Sequence, residues 1–218
     1  MNDIQNKIAR NKRFDGLFAI IGLLSTMVGM IVLAALILDL ATAGASRLAP
    51  HFFTSFPSRF PAQAGILSAW VGTCFVMLVT ALTAVPMGVA AGVYLEEYAP
   101  KNWLTALLEI NIANLAGVPS IVYGLMALGL FVYQLKLGQS ILSAGLTLAL
   151  LILPIVIVAT RESVRAVPGS MREAAYALGA TKWQTTRDHV LPYSMGGILT
   201  GVIIALSRAI GEIDSLNL

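Results

Sequence analysis

The chain has 218 residues, 57% apolar and 11% charged, with 14 Lys and Arg against 11 Asp and Glu, and a mean hydropathy of +0.81. Soluble domains average about 45–50% apolar and about 25% charged residues, so this composition excludes a soluble globular domain and points to a polytopic membrane protein. The single cysteine, Cys74, rules out an intrachain disulfide and argues against a thiolate metal site; lying inside an apolar run, it is expected to be a buried structural residue.

A bilayer core about 30 Å thick takes about 20 residues of α-helix. Residues 1–16 carry Lys7, Arg10, Lys12 and Arg13 ahead of an apolar run too long for a cleaved signal peptide, which reads as an uncleaved first span near 17–39. Segment 40–65, rich in Pro, Ser, Phe and Arg, reads as an outer loop with interfacial aromatics. Four more spans fall near 66–92, 109–133, 141–160 and 195–214. A cytoplasmic N-terminus then puts Lys7, Arg10, Lys12, Arg13, Lys101, Arg161, Arg165, Arg172, Lys182 and Arg187 inside. Only Arg47, Arg59 and Lys136 face outward, as the positive-inside rule requires.

Gly and Pro punctuate the spans. The G-x-x-x-G spacings Gly88–Gly92 and Gly197–Gly201 permit close helix approach, and Pro86, Pro119 and Pro154 are expected to bend their helices. Glu109, Asn111 and Asn114 open the third span at helical spacing; they line a path, face a partner or sit at the interface, of which the interface is favoured. Arg161 and Glu162 end the fourth span as boundary charges. Arg208 and Glu212 stand four residues apart near the end of the last span, so they share a face and can pair. A charge at the bilayer centre costs about 2.5–3.5 kcal/mol on insertion scales, which makes this pair a functional-site candidate; the competing reading is a structural pair snorkelling to the outer interface.

Between the last two spans lies a polar, basic island. From Ser170 the pattern gives a capping residue, an acid three positions on and a slim helix ending at Gly179; Thr181–Val190 follows as a second helix closed by Leu191 and Pro192. The island is thus a helix-turn-helix along the membrane. On composition it suits either a groove on another protein or an anionic lipid surface.

The order Glu173-Ala174-Ala175, Gly179, Leu191-Pro192 resembles the E-A-A loop of ABC importer permeases, with His189 where an Ile is usual. His189 itself has no second metal ligand at helical spacing. Longer stretches resemble the PstA-type permeases of the phosphate-specific importers: Gly88–Pro100, Asn114–Gly124 and Ala205–Glu212, within a likeness running from about Ile66 to Glu212. The resemblance implies an all-α polytopic bundle of the type I ABC importer permease fold, its permease domain covering 17–214 with a coupling loop at 161–194. It also implies that Glu173, Ala174, Ala175, Gly179, Leu191 and Pro192 seat on an ATPase, and that Arg208 and Glu212 serve the substrate pathway. Implied partners are a homologous PstC-type permease, a PstB-type ATPase dimer, a PstS-type extracytoplasmic phosphate-binding protein and the lipid bilayer, with no nucleic acid. The implied location is the bacterial cytoplasmic membrane.

No G-x-x-x-x-G-K-[ST] occurs, so ATP is expected on another polypeptide and no cofactor or metal on this one. Family members continue after the Gly-Glu pair with a sixth span. Here residues 215–218 diverge, so the resemblance implies five of six spans, through a fragment, an early stop or a frameshift. Alternatives are a sulfate or molybdate permease of the same class, or an ATP-independent channel or secondary carrier. No His, Cys or carboxylate cluster at catalytic spacing supports an enzyme.

Overall fold

The computed structural model describes residues 2–45, 48–60 and 63–213. Arg47 and residues 214–218, including the divergent end and the last position of the fifth span, lie outside the described residues, as do the side chains of Lys7, Arg10 and Arg13. The chain forms two compact units, Met1–Leu67 and Ser68–Leu218, each described by itself.

In the first unit, α1 (Asn2–Ala45) contains the apolar stretch Phe14–Ala45, none of it buried. A helix apolar on every face has the character of a lipid-facing span. It takes residues 40–45 from the expected outer loop, whose short α2 (Pro50–Thr54) starts on a proline and carries an edge-on Phe52–Phe53 pair.

The second unit is built around α6 (Ile141–Arg165), whose Leu148, Ile152, Val156 and Val164 are fully buried. Lipid is as apolar as Leu, so close packing must hold helices together. Glycines supply it. On α3 (Leu67–Val93), a Cβ at Gly88 would meet Val156 Cγ1 at 2.7 Å and one at Gly92 would meet the Ile157 carbonyl at 2.8 Å. On α9 (Leu191–Glu212), Gly197 lies against Ser163 and Gly201 against Ala159. Both expected G-x-x-x-G seams therefore exist, and both close on α6. A buried Thr80 hydroxyl bridges to the Gly145 carbonyl at 3.1 Å.

Two expectations are corrected. The third span is not one helix: α4 (Trp103–Leu115) and α5 (Ser120–Ala127, extended by a wide π-turn Leu128–Gln134) meet at 101°. Pro119 forces Val118 out of helical geometry and caps α5, while Tyr123 Oη donates to the Leu115 carbonyl at 2.9 Å, satisfying one of the groups left open at the end of α4. Pro86 and Pro154, by contrast, sit inside uninterrupted helices. Cys74 is exposed, not buried; an apolar run in a bilayer does not say which face turns inward. Among the described residues, four single helices are long and apolar enough to span, and the α4–α5 pair is a fifth candidate.

Candidate functional site

The loop between α6 and α9 begins at α7 (Gly169–Ala177). Ser170 is not its cap. Pro168, with φ −56° and ψ 135°, stands at the N-cap and starts the helix earlier, so Ser170 falls in the first turn. The other end is as expected: Gly179 adopts φ +82°, its N–H bonds the Tyr176 carbonyl at 2.9 Å, and Ala180 N–H bonds the Ala175 carbonyl at 3.1 Å. This Schellman arrangement requires the left-handed conformation that glycine takes without strain.

Thr181 then caps α8 (Lys182–Thr185) through a reciprocal box with Gln184. That helix is not closed by Leu191–Pro192. A π-turn over Thr186–Val190 carries it directly into α9, giving one continuous helix from Lys182 to Glu212. Proline has no N–H and its ring crowds the carbonyl four residues back. The wider π-turn immediately before Pro192 accommodates that clash.

Around this loop the structure assembles a charge network that the chain order conceals. The π-turn Tyr94–Tyr98, which prolongs α3, supplies Glu96, Glu97 and Tyr98. Glu96 accepts from Arg161 at 3.1 Å and Arg165 at 3.3 Å; Arg161 also reaches Glu109 on α4 at 2.7 Å. Glu97, 7% exposed, accepts from Arg172 at 2.6 Å. Tyr98 Oη meets Thr186 Oγ1 at 3.4 Å, and Lys182 Nζ lies 5.2 Å from the Tyr98 ring centroid. Arg161, Arg165 and Arg172 read in sequence as topological charges. Apart from the local Arg165–Glu162 pair, their carboxylate partners lie far off in the chain, on Glu96, Glu97 and Glu109. Only the acidic pair in Y-L-E-E-Y signals them.

The expected docking residues divide by exposure. Glu173, Ala174 and Gly179 face outward, Ala175 is buried, and Leu191 packs against the core beside an exposed Pro192. Leu178 is 90% and Trp183 59% exposed, with Tyr176 near them in sequence, so the loop offers apolar groups to a partner.

Arg208 and Glu212 lie one turn apart on α9, with Arg208 about 25 Å along the helix from Leu191 at about 1.5 Å per residue. Arg208 is exposed and within electrostatic reach of Tyr123, which braces the broken third segment; Glu212 is half-buried. Asn111 and Asn114 are exposed. A cavity of about 490 Å³ opens at the end of the unit away from the loop, lined by Ser68, Thr73, Gln139, Ser140, Ser143 and Thr147 among others. Its hydroxyls come from α3, from α6 and from the α6 N-cap Ser140, so no local motif announces it. No group of His, Cys, Asp or Glu suited to a metal occurs among the described residues.

The described residues form an all-helical bundle with one hub helix, a broken span and a loop helix between its last two spans, the architecture of a multi-pass membrane protein. Its fold is shared with a chain of the MetNI methionine ABC transporter solved in inward-facing conformations, at a TM-score of 0.54 and 19% identity over 67% of this chain and 68% of that one. Residues 84–218 match the family of binding-protein-dependent transport system inner membrane components, and the chain belongs to that family. It is accordingly a multi-pass inner-membrane permease subunit of an ABC transporter. Similar proteins include the probable ABC transporter permease protein YqgI of Bacillus subtilis, at 32% identity over 97% of this chain and 70% of that protein. The phosphate transport system permease protein PstA 1 of Mycobacterium tuberculosis is 40% identical over 72% of this chain and 50% of its own length. PstA of Yersinia pestis is 32% identical over 97% and 72%. The chain thus spans from half to about seven-tenths of these relatives.

Proposed function

We propose that this chain forms part of the translocation path of an ATP-driven importer for inorganic phosphate. The observation carrying this reading is the 40% identity with a phosphate transport permease over 72% of the chain. Arg208 supports it: a guanidinium offers a planar fork of donors suited to phosphate oxygens, and it stands exposed near the far end of an otherwise apolar helix. Glu212, one turn on, holds the local charge balance.

In this reading the N-terminus is cytoplasmic, and the outward face of Glu173, Ala174, Gly179, Leu178 and Trp183 seats on a PstB-type ATPase dimer. A PstC-type permease completes the path, and a PstS-type binding protein delivers phosphate from outside. ATP-driven closure of the ATPases moves the loop and reorients the spans between two accessible states. ATP stays on the partner, and this chain contributes positioning and passage.

The test is ATP-dependent uptake of labelled phosphate by proteoliposomes holding this chain, partner permease, ATPase and binding protein, with sulfate and molybdate in parallel. Phosphate uptake, lost by Arg208→Ala and partly kept by Arg208→Lys, is the expected result. Uptake of sulfate or molybdate instead rejects phosphate and keeps the class; uptake indifferent to ATP rejects the importer.

A further inference from the structure

The loop helix α7 is held to the spans by very little apolar packing. Ala175 is its one fully buried residue, and Met171 is partly buried against the core. Its firm attachment is polar and concentrated in one side chain. Arg172 Nε and Nη2 donate to Glu97 Oε1 at 2.9 and 2.6 Å, Nη1 donates to the Val167 carbonyl at 2.7 Å, and Nη2 to the Val164 carbonyl at 2.9 Å. All three guanidinium nitrogens are engaged, and no other α7 side chain hydrogen-bonds outside its helix among the described residues. The carbonyls belong to the end of α6 and the residues just after it; the carboxylate belongs to the turn that ends α3.

We propose that the Arg172–Glu97 pair is the joint through which displacement of α7 reaches α3 and α6. The inference rests on the reading of α7 as the ATPase-facing helix, and it assigns Arg172 and Glu97 as positioning residues. Geometry supports the assignment. Glu173, the next residue, faces outward while Arg172 faces inward, so α7 presents one charge to the partner side and anchors itself with the other. The planar fork fixes direction as well as distance, which a single ammonium cannot do. At 7% exposure, Glu97 is shielded from screening by salt. The same turn holds Arg161 and Arg165 through Glu96 and the foot of α9 through Tyr98, so a pull on Glu97 is shared among α3, α6 and α9. Without the joint, α7 keeps its chain links at Ala166–Pro168 and the Gly179 turn and the packing of Ala175 and Met171, but no side chain ties it to the turn that ends α3.

The experiment uses the complete reconstituted complex and compares anion uptake with ATP hydrolysis in the same vesicles. Arg172→Ala and Glu97→Ala are each expected to lower uptake per ATP by about tenfold, within the range of coupling energies between distant sites. Hydrolysis and retention of the ATPase subunits are kept. The double variant is expected to be no worse than Arg172→Ala alone, because that variant already removes the link, and Arg172→Lys falls between it and the wild type. Uptake and hydrolysis falling in equal proportion, or single effects that multiply in the double variant, would overturn the joint. Should Arg172→Ala or Glu97→Ala fail to assemble, Glu97→Gln, of the same shape, reads the same ratio, and an unchanged ratio there overturns the proposal. A wild-type complex carrying another anion leaves this test intact, since the ratio is read on that anion. A wild-type complex whose uptake ignores ATP rejects the parent reading, and the joint with it.

Discussion

The seam where α3 and α9 close on α6 and the polar end beside α7 hold the same helices together by opposite means. The seam is close-packed, built from glycines against Val156, Ile157, Ala159, Thr160 and Ser163, with no room for a Cβ at any of the four. The polar end is built from long side chains reaching between elements, whose ion pairs can exchange partners: Glu96 already serves two arginines and Arg161 two carboxylates. One region keeps the bundle a single body, and the other allows its end to be moved. Polar contacts concentrated where motion enters, and close packing where it must be carried intact, is a division that suits a transport component.

Breaking the seam is expected to have the largest effect. Gly92→Leu would drive a side chain into the Ile157 carbonyl and Thr160, neither of which is the yielding tip of a long chain. A loss of about 3 kcal/mol or failure to fold follows, measured as loss of a monodisperse species in detergent. Arg161→Met tests the polar end. It leaves Glu96 with Arg165 alone and Glu109 with no partner among the described ion pairs. These carboxylates are partly exposed, so the cost is set at about 2 kcal/mol, below that of a fully buried pair. Lower thermal stability, recovered in part by adding Glu109→Gln, would check it. The smallest effect concerns a feature belonging to neither region. Tyr123→Phe deletes the bond to the Leu115 carbonyl across the α4–α5 break, at about 1 kcal/mol. Increased amide exchange confined to residues near 115–119 is the expected signature.

Much of the seam was legible in sequence, because G-x-x-x-G spacing and span length are local. Gly179 was legible for the same reason, since its role depends on three residues on either side. The polar end was not. Arg161, Arg165 and Arg172 sit where the positive-inside rule places cations, so each had a sufficient explanation before its carboxylate was found. The third span shows an intermediate case: Pro119 announced a bend, but the 101° turn and its fastening by Tyr123 depend on a contact eight residues away. The exposure of Cys74 and the helix start before Ser170 are not legible locally, because apolar character does not choose a face and a good capping residue does not choose a start.

The π-turn over Thr186–Val190 has a bearing on Arg208 that distance alone would hide. A π-turn accommodates one residue more than an α-turn, and each residue in an α-helix advances the azimuth by about 100°. Counted from Thr181, where the capping box fixes the start, every side chain beyond Val190 is therefore rotated by about one residue's angle relative to an unbroken α-helix. The compass heading of Arg208 is set at the foot of the helix, beside the loop, about 25 Å along the axis from the residue it aims.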